Sequence, residues 1–326
     1  MLKNLVAAVA AVMLSSSAGL AQTKWVMANA YPETNFHTVT IKGFLADVEQ
    51  ATAGKLSVTL HANASLMPLP QIKRGVQTGQ IQLGEFLLGA YGNEDPIYEV
   101  DFLPFLAVTW DQARKLGEAV EPAIRARLER QGLTPLYMVP WPSQGFYTRS
   151  ELRGVEDLKG TRFRAQTPVI ARMAELLQAT PVTVQAADVP QAFATGIINA
   201  MITSAQTGVD SSAWDFAKVF TNVGFTLTRN VVVANTRAFM ALDEPTRAAI
   251  RTAAKAAEER GWAASRASEE VMSARLLAQG LATPAPSEAL MTQLRAIGAK
   301  QEEEWVTRAG PDGRALIDRY RALLKP

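Results

Sequence analysis

Twice in this chain a strand-like run is followed by a helix with a marked start and then by another strand, and this order constrains the fold more than any other feature. In the second half, residues 161–166 read as a short basic strand, Thr167-Pro168 opens a helix, and 180–184, 188–195 and 200–203 continue as strand, helix and strand. In the first half, 24–30 reads as a strand. Residues 38–52 follow helical spacing with Val39, Phe44, Leu45 and Val48 apolar and Gly54 as the C-cap. Residues 56–62 are strand, Pro68 and Pro70 open a helix that Gly79 closes, and 81–88 is strand again. A strand–helix–strand succession places its strands parallel, with the helices covering the sheet. The expected class is α/β.

The remaining segments say how two such units are joined. Residues 110–131 are helical, 133–141 a strand, and Pro140-Trp141-Pro142-Ser143-Gln144-Gly145 reads as a crossing from one unit to the other. Residues 230–235 (NVVVAN) are apolar throughout, as suits a strand at a sheet centre. Residues 242–279 form the longest helical pattern, with Asp243 as its cap and Pro245 in its first turn, where a missing N–H is harmless. At ~1.5 Å per residue this helix is longer than one lobe is wide, and Gly261 offers a place to bend it. Residues 287–307 and 312–324 read as two closing amphipathic helices. The expectation is therefore two lobes, each with a mostly parallel sheet: 22–142 with about 230–265, and 143–229 with about 266–326. Crossing strands and the long helix join them, with a cleft between.

The N-terminus reads as an export signal. Lys3 is followed by an apolar run at 5–14 and by Gly19-Leu20-Ala21, a small-x-small cleavage pattern. The run is far short of the ~20 residues that span a bilayer, so the chain is expected to be cleaved near Ala21 and released to the periplasm. Cysteine is absent, which removes disulfides, thiolate nucleophiles and Cys-based zinc sites. The net charge is +2, and loss of Lys3 with the signal leaves +1. No basic stretch suits nucleic acid or anionic lipid. His37 and His61 form no metal or catalytic spacing, and no H-E-x-x-H, G-x-S-x-G or phosphate-loop pattern occurs. No cofactor, metal ligand or catalytic residue is expected.

An Arg at a strand end, facing hydroxyls at the next strand end, is the arrangement by which an open α/β sheet binds a small anion. Arg164 and the pair Thr203-Ser204 fit it. The surrounding residues also carry a resemblance. Leu158-Lys159-Gly160-Thr161-Arg162-Phe163-Arg164, followed by Gly196-Ile197-Ile198-Asn199-Ala200, resembles the solute-binding proteins of tripartite ATP-independent periplasmic (TRAP) transporters, the DctP family. The resemblance implies a two-lobed periplasmic-binding-protein-like fold, with Arg164 gripping a ligand carboxylate. It puts Gln144 where sialic-acid-binding members carry a second Arg, and Thr203 and Ser204 where a carboxylate-binding Asn is common. It also puts Gln185-Ala186-Ala187 in place of a stacking aromatic, which opens space near the carboxylate. A neutral amide at 144 favours a monocarboxylate.

Aromatic residues gather at the expected cleft edges: Tyr31, Phe36, Phe86, Tyr91, Trp141, Phe146 and Trp214. Phe36 and Phe86 are favoured as ligand wall because they lie near strand C-terminal ends, and Trp214 resembles the Ala-Trp-Asp segment of an aryl- or oxo-acid-binding branch. Glu85 either accepts from a ligand hydroxyl or amine or makes a salt bridge at a lobe edge, and His37 lies in the first loop within reach of ligand. The expected function is a periplasmic receptor that closes on a small organic acid, an aromatic or 2-oxo or 2-hydroxy monocarboxylate, and delivers it to TRAP membrane subunits, with no chemistry performed. The rivals are a secreted hydrolase or lyase on a two-lobed scaffold and a ligand sensor for a receptor kinase.

Overall fold

A computed structural model describes residues 22–325; the expected signal at 1–21 lies outside the described residues. In chain order the elements are β1 (Thr23–Ala28), α1 (Phe36–Ala51), β2 (Leu56–His61), α2 (Leu69–Thr78), β3 (Leu83–Leu87), α3 (Trp110–Arg130), β4 (Leu133–Pro140) and β5 (Gln144–Thr148). Then follow β6 (Arg162–Ala165), α4 (Pro168–Leu176), β7 (Thr180–Thr183), α5 (Val189–Ala194), β8 (Ala200–Ser204), α6 (Ala205–Asp210), β9 (Val219–Asn222), β10 (Arg229–Asn235), α7 (Thr236–Met240), α8 (Glu244–Ala278) and α9 (Glu288–Leu324). Side-chain caps fix many helix starts: Asn35 accepts from His37 N, Thr167 from Ile170 N, and Asp243 from Thr246 N.

The strands form two five-stranded sheets, ordered β2-β1-β3-β10-β4 and β7-β6-β8-β5-β9. In each, four of the five strands run the same way. The reversed strand, β10 in the first sheet and β5 in the second, is the one that enters from the crossing and pairs antiparallel on both sides. The parallel pairs β1–β2, β1–β3, β6–β7 and β6–β8 are those the strand–helix–strand order requires. The two crossings lie side by side: Trp141 N donates to Thr228 O at 2.6 Å, and Phe225 N donates to Gln144 O at 3.2 Å. A buried ion pair, Arg229 Nε to Asp101 Oδ2 at 2.9 Å, pins the loop after β3 to the same place.

The core follows the strand period. Phe146 and Tyr147, adjacent on β5, enter cores on opposite faces of the second sheet. α8 crosses both lobes, with Ile250, Ala253 and Ala257 in the first sheet's core and Leu276 in a core of the second. The helix runs unbroken through Gly261. A Cβ there would stand 2.4 Å from Val139 Cγ2, so the glycine lets the helix lie close against β4. The last helical stretch breaks at Gly310 (φ 63°, ψ −150°), before Pro311, giving the two segments expected. It too crosses both lobes: Leu290 and Leu294 pack on the second sheet, whereas Trp305, Ile317 and Tyr320 pack on the first. No helix of the described residues is long and apolar enough to cross a membrane.

Candidate functional site

The C-terminal ends of β1, β3, β4, β6 and β8 and the start of β5 converge on one cavity between the sheets. It is lined by Tyr31, Leu69, Leu87, Phe102, Trp141, Gln144, Arg164, Gln166, Gln185, Ala186, Thr203, Ser204, Thr207 and Thr228. Its cavity volume is about 40 Å³. Only a small ligand fits without further opening.

Arg164 dominates its electrostatics. β6 carries it between β7 and β8, opposite Val182 and Met201, and only 3% of it is exposed. Its Nε donates to Val184 O at 2.9 Å, and no carboxylate among the described residues pairs with it. Burial depresses its pKa to about 10, against a small opposing effect of Tyr31. Burial, and after it the charge of Glu85, pushes the Tyr31 phenol well above its ordinary value. A guanidinium stripped of water and left without a counter-ion is a seat for an anion.

Around it stand neutral polar groups. Gln144 Nε2 donates to Thr228 Oγ1 at 3.1 Å, while its buried Oε1 has no partner; Gln166 Oε1 is likewise unpartnered. The Ser204 hydroxyl caps α6, accepting from Thr207 N at 3.2 Å. Tyr31, Trp141, Phe102, Leu69 and Leu87 supply the apolar wall. The cavity wall contains no Asp or Glu.

Of the residues singled out in the sequence, the fold brings Arg164, Gln144, Thr203, Ser204, Tyr31, Trp141, Gln185 and Ala186 to the cavity. The others it places elsewhere. Glu85 and His37 are both buried behind the wall: His37 Nδ1 lies 2.9 Å from Glu85 Oε1, and Asn29 Nδ2 donates to Thr38 Oγ1 and to Glu85 Oε2. His37 packs against Phe36 and Trp141 with ring centroids 4.2 and 4.5 Å away. These residues support Tyr31 and Trp141, which line the cavity instead of Phe36. Phe86 points into the first sheet's core because it alternates with Leu87, the wall residue. Phe146 is buried against Phe163, and Trp214 packs beside a second-sheet core. Gln166 and Thr228 were not anticipated. Gln166 is two residues beyond Arg164 on the same face and is therefore findable, whereas Thr228 arrives through a crossing with no local signal. Among the described residues no cluster of His, Cys, Asp or Glu could hold a metal.

Comparisons with known proteins agree with this fold. The family model described as bacterial extracellular solute-binding protein, family 7 (DctP), matches residues 27–305. DctP6 of Bordetella pertussis, an extracytoplasmic solute receptor described as binding pyroglutamic acid, has a structure similar to this one at TM-score 0.90. It is 43% identical, with 92% of this chain and 100% of that one covered. A marine-metagenome TRAP solute-binding protein described as specific for pyroglutamate is 36% identical at TM-score 0.91, covering 92% of this chain and 99% of that one. A solute-binding protein of Albidiferax ferrireducens is 22% identical over 58% of this chain, and the match spans 56%, about half, of that relative's length.

Proposed function

The chain belongs to the bacterial extracellular solute-binding proteins of family 7, and from that premise we propose that it is an exported receptor for a small cyclic monocarboxylate of the pyroglutamate kind. The observation that carries the reading is Arg164, a buried guanidinium with no carboxylate partner among the described residues, at the head of a small cavity between two lobes. Its free edge would take the ligand carboxylate in a bidentate pair, and the apolar wall would cover a compact ring. Gln144, Thr203, Ser204 and Thr207 would complete the polar contacts. Pyroglutamate matches in charge, size and the balance of ring and amide, and two relatives above 35% identity are described as binding it.

No bond is made or broken in this role. Ligand binding draws the lobes together, and the closed form is what the TRAP membrane subunits receive. A signal peptide at 1–21 would deliver the chain to the periplasm. The test is mass spectrometry of what the purified protein releases on denaturation, with a thermal-shift panel of organic acids. Pyroglutamate at a hundredfold excess over its Kd should stabilise the protein by about 2.7 kcal/mol, a shift of several degrees. Stabilisation by succinate or sialic acid but not by pyroglutamate would defeat the proposal.

A further inference from the structure

The polar groups facing the cavity are unequal in what they have left to offer. Arg164 and the hydroxyls answer a carboxylate. Gln144 presents the opposite need: it is 4% exposed, one Nε2 hydrogen goes to Thr228 Oγ1, and its Oε1 has no partner at all. Its main chain is held on both sides, in register with Ser204 on β8 and with its carbonyl accepting from Phe225 N at 3.2 Å. Gln144 lines the cavity, and its Oε1 is a buried acceptor without a donor. Gln166 adds a second unmatched amide oxygen.

A buried acceptor without a donor is a standing penalty that only an incoming donor relieves. The donor should be uncharged. The lining holds no Asp or Glu, and an ammonium would add a second positive charge beside Arg164. Glu85, buried behind the wall, already accepts from Asn29 and lies against His37. We propose that Gln144 determines specificity by accepting a hydrogen bond from a neutral ring N–H of the ligand, so that the receptor selects lactam acids over isosteres with oxygen or CH₂ at that position and over secondary-amine acids. This inference rests on the pyroglutamate reading and assigns to position 144 the role of acceptor, distinct from the second carboxylate clamp of acid-sugar binders.

The experiment is calorimetric titration of the full mature chain with L-pyroglutamate, with the lactone in which ring oxygen replaces the N–H, with the cyclopentanone acid carrying CH₂ there, and with L-proline. Wild-type protein should bind the lactam about 10- to 100-fold more tightly than either isostere, the range that one unmet buried hydrogen bond produces. Gln144→Met and Gln144→Leu should bring the ratio to within about threefold, the former keeping the side-chain length should the latter fail to fold. Equal binding of lactam and isosteres by wild-type protein would overturn the inference while leaving the pyroglutamate reading intact, as would a ratio flattened by Gln166→Met and not by Gln144→Met. Failure of wild-type protein to bind L-pyroglutamate at all would remove both.

Discussion

A guanidinium taken out of water gains nothing by itself, and the proposed function gives Arg164 an anion to receive. Removing it from a filled cavity leaves an anion buried and unpaired, at about 3–5 kcal/mol, or on the order of a hundredfold to a few thousandfold in affinity. Arg164→Lys should recover only part of this, because an ammonium cannot reproduce two parallel bonds to one carboxylate. Arg162, exposed at the start of β6, should change affinity by less than about 1 kcal/mol when replaced by Ala. Calorimetry on the three variants checks the ordering, and loss of binding in Arg162→Ala with Arg164→Ala intact would refute the assignment. At this scale the sequence picked out residues that line the cavity where chemistry and strand position sufficed, as for Arg164 and the Thr203-Ser204 pair. For Glu85 it left ligand contact and a salt bridge both open, and the fold sets Glu85 and His37 beside each other behind the cavity wall. That mutual pairing is a tertiary fact, invisible in either residue alone.

Elements were legible where their signals are local. Proline at helix starts, Gly79 in the left-handed conformation (φ 77°) after α2, and the twofold period of β1–β3 and β6–β8 all act within a few residues. β5 and β9 escaped notice because they are short and are specified by each other and by β8, far away in sequence. Gly261 shows how a local rule can point the wrong way. Helix propensity alone predicts that Gly261→Ala stabilises α8 by ~1 kcal/mol. The close approach to Val139, with Thr40 Cγ2 at 3.2 Å, predicts a net loss of about 1–3 kcal/mol from overpacking. Urea denaturation of the variant decides, and a higher midpoint would mean that α8 has room to move away from β4.

For the whole molecule, the two lobes share their helices and meet across the cleft, where Asn35 Nδ2 donates to Asp210 Oδ2 at 2.7 Å. Burial raises the pKa of Asp210, of Asp101 against the pull of Arg229, and of Glu99, Glu258 and Glu269 above the ordinary carboxylate range. Each of these groups binds a proton more tightly folded than unfolded. They therefore favour the fold increasingly as pH falls from neutrality through their raised values, levelling off at the ordinary values near 4. Asp157, Asp243, Glu244 and Glu304 are shifted down and withdraw support only below that range; being exposed, they count for little. Differential scanning calorimetry should show a higher melting temperature near pH 5.5 than at pH 8, with a shallower slope in Asp210→Asn; a melting temperature that climbs steadily to pH 8 would contradict this. The division into two lobes was readable from the repeated strand–helix order, but the meeting of Asn35 with Asp210, 175 residues apart, was not. The central claim is that a small carboxylate held by Arg164 draws these lobes together. Small-angle X-ray scattering of wild type and Arg164→Ala, each with and without saturating L-pyroglutamate, tests it most directly. The account predicts a smaller radius of gyration for liganded wild type and no change for the variant, whereas identical wild-type profiles with ligand bound would contradict it.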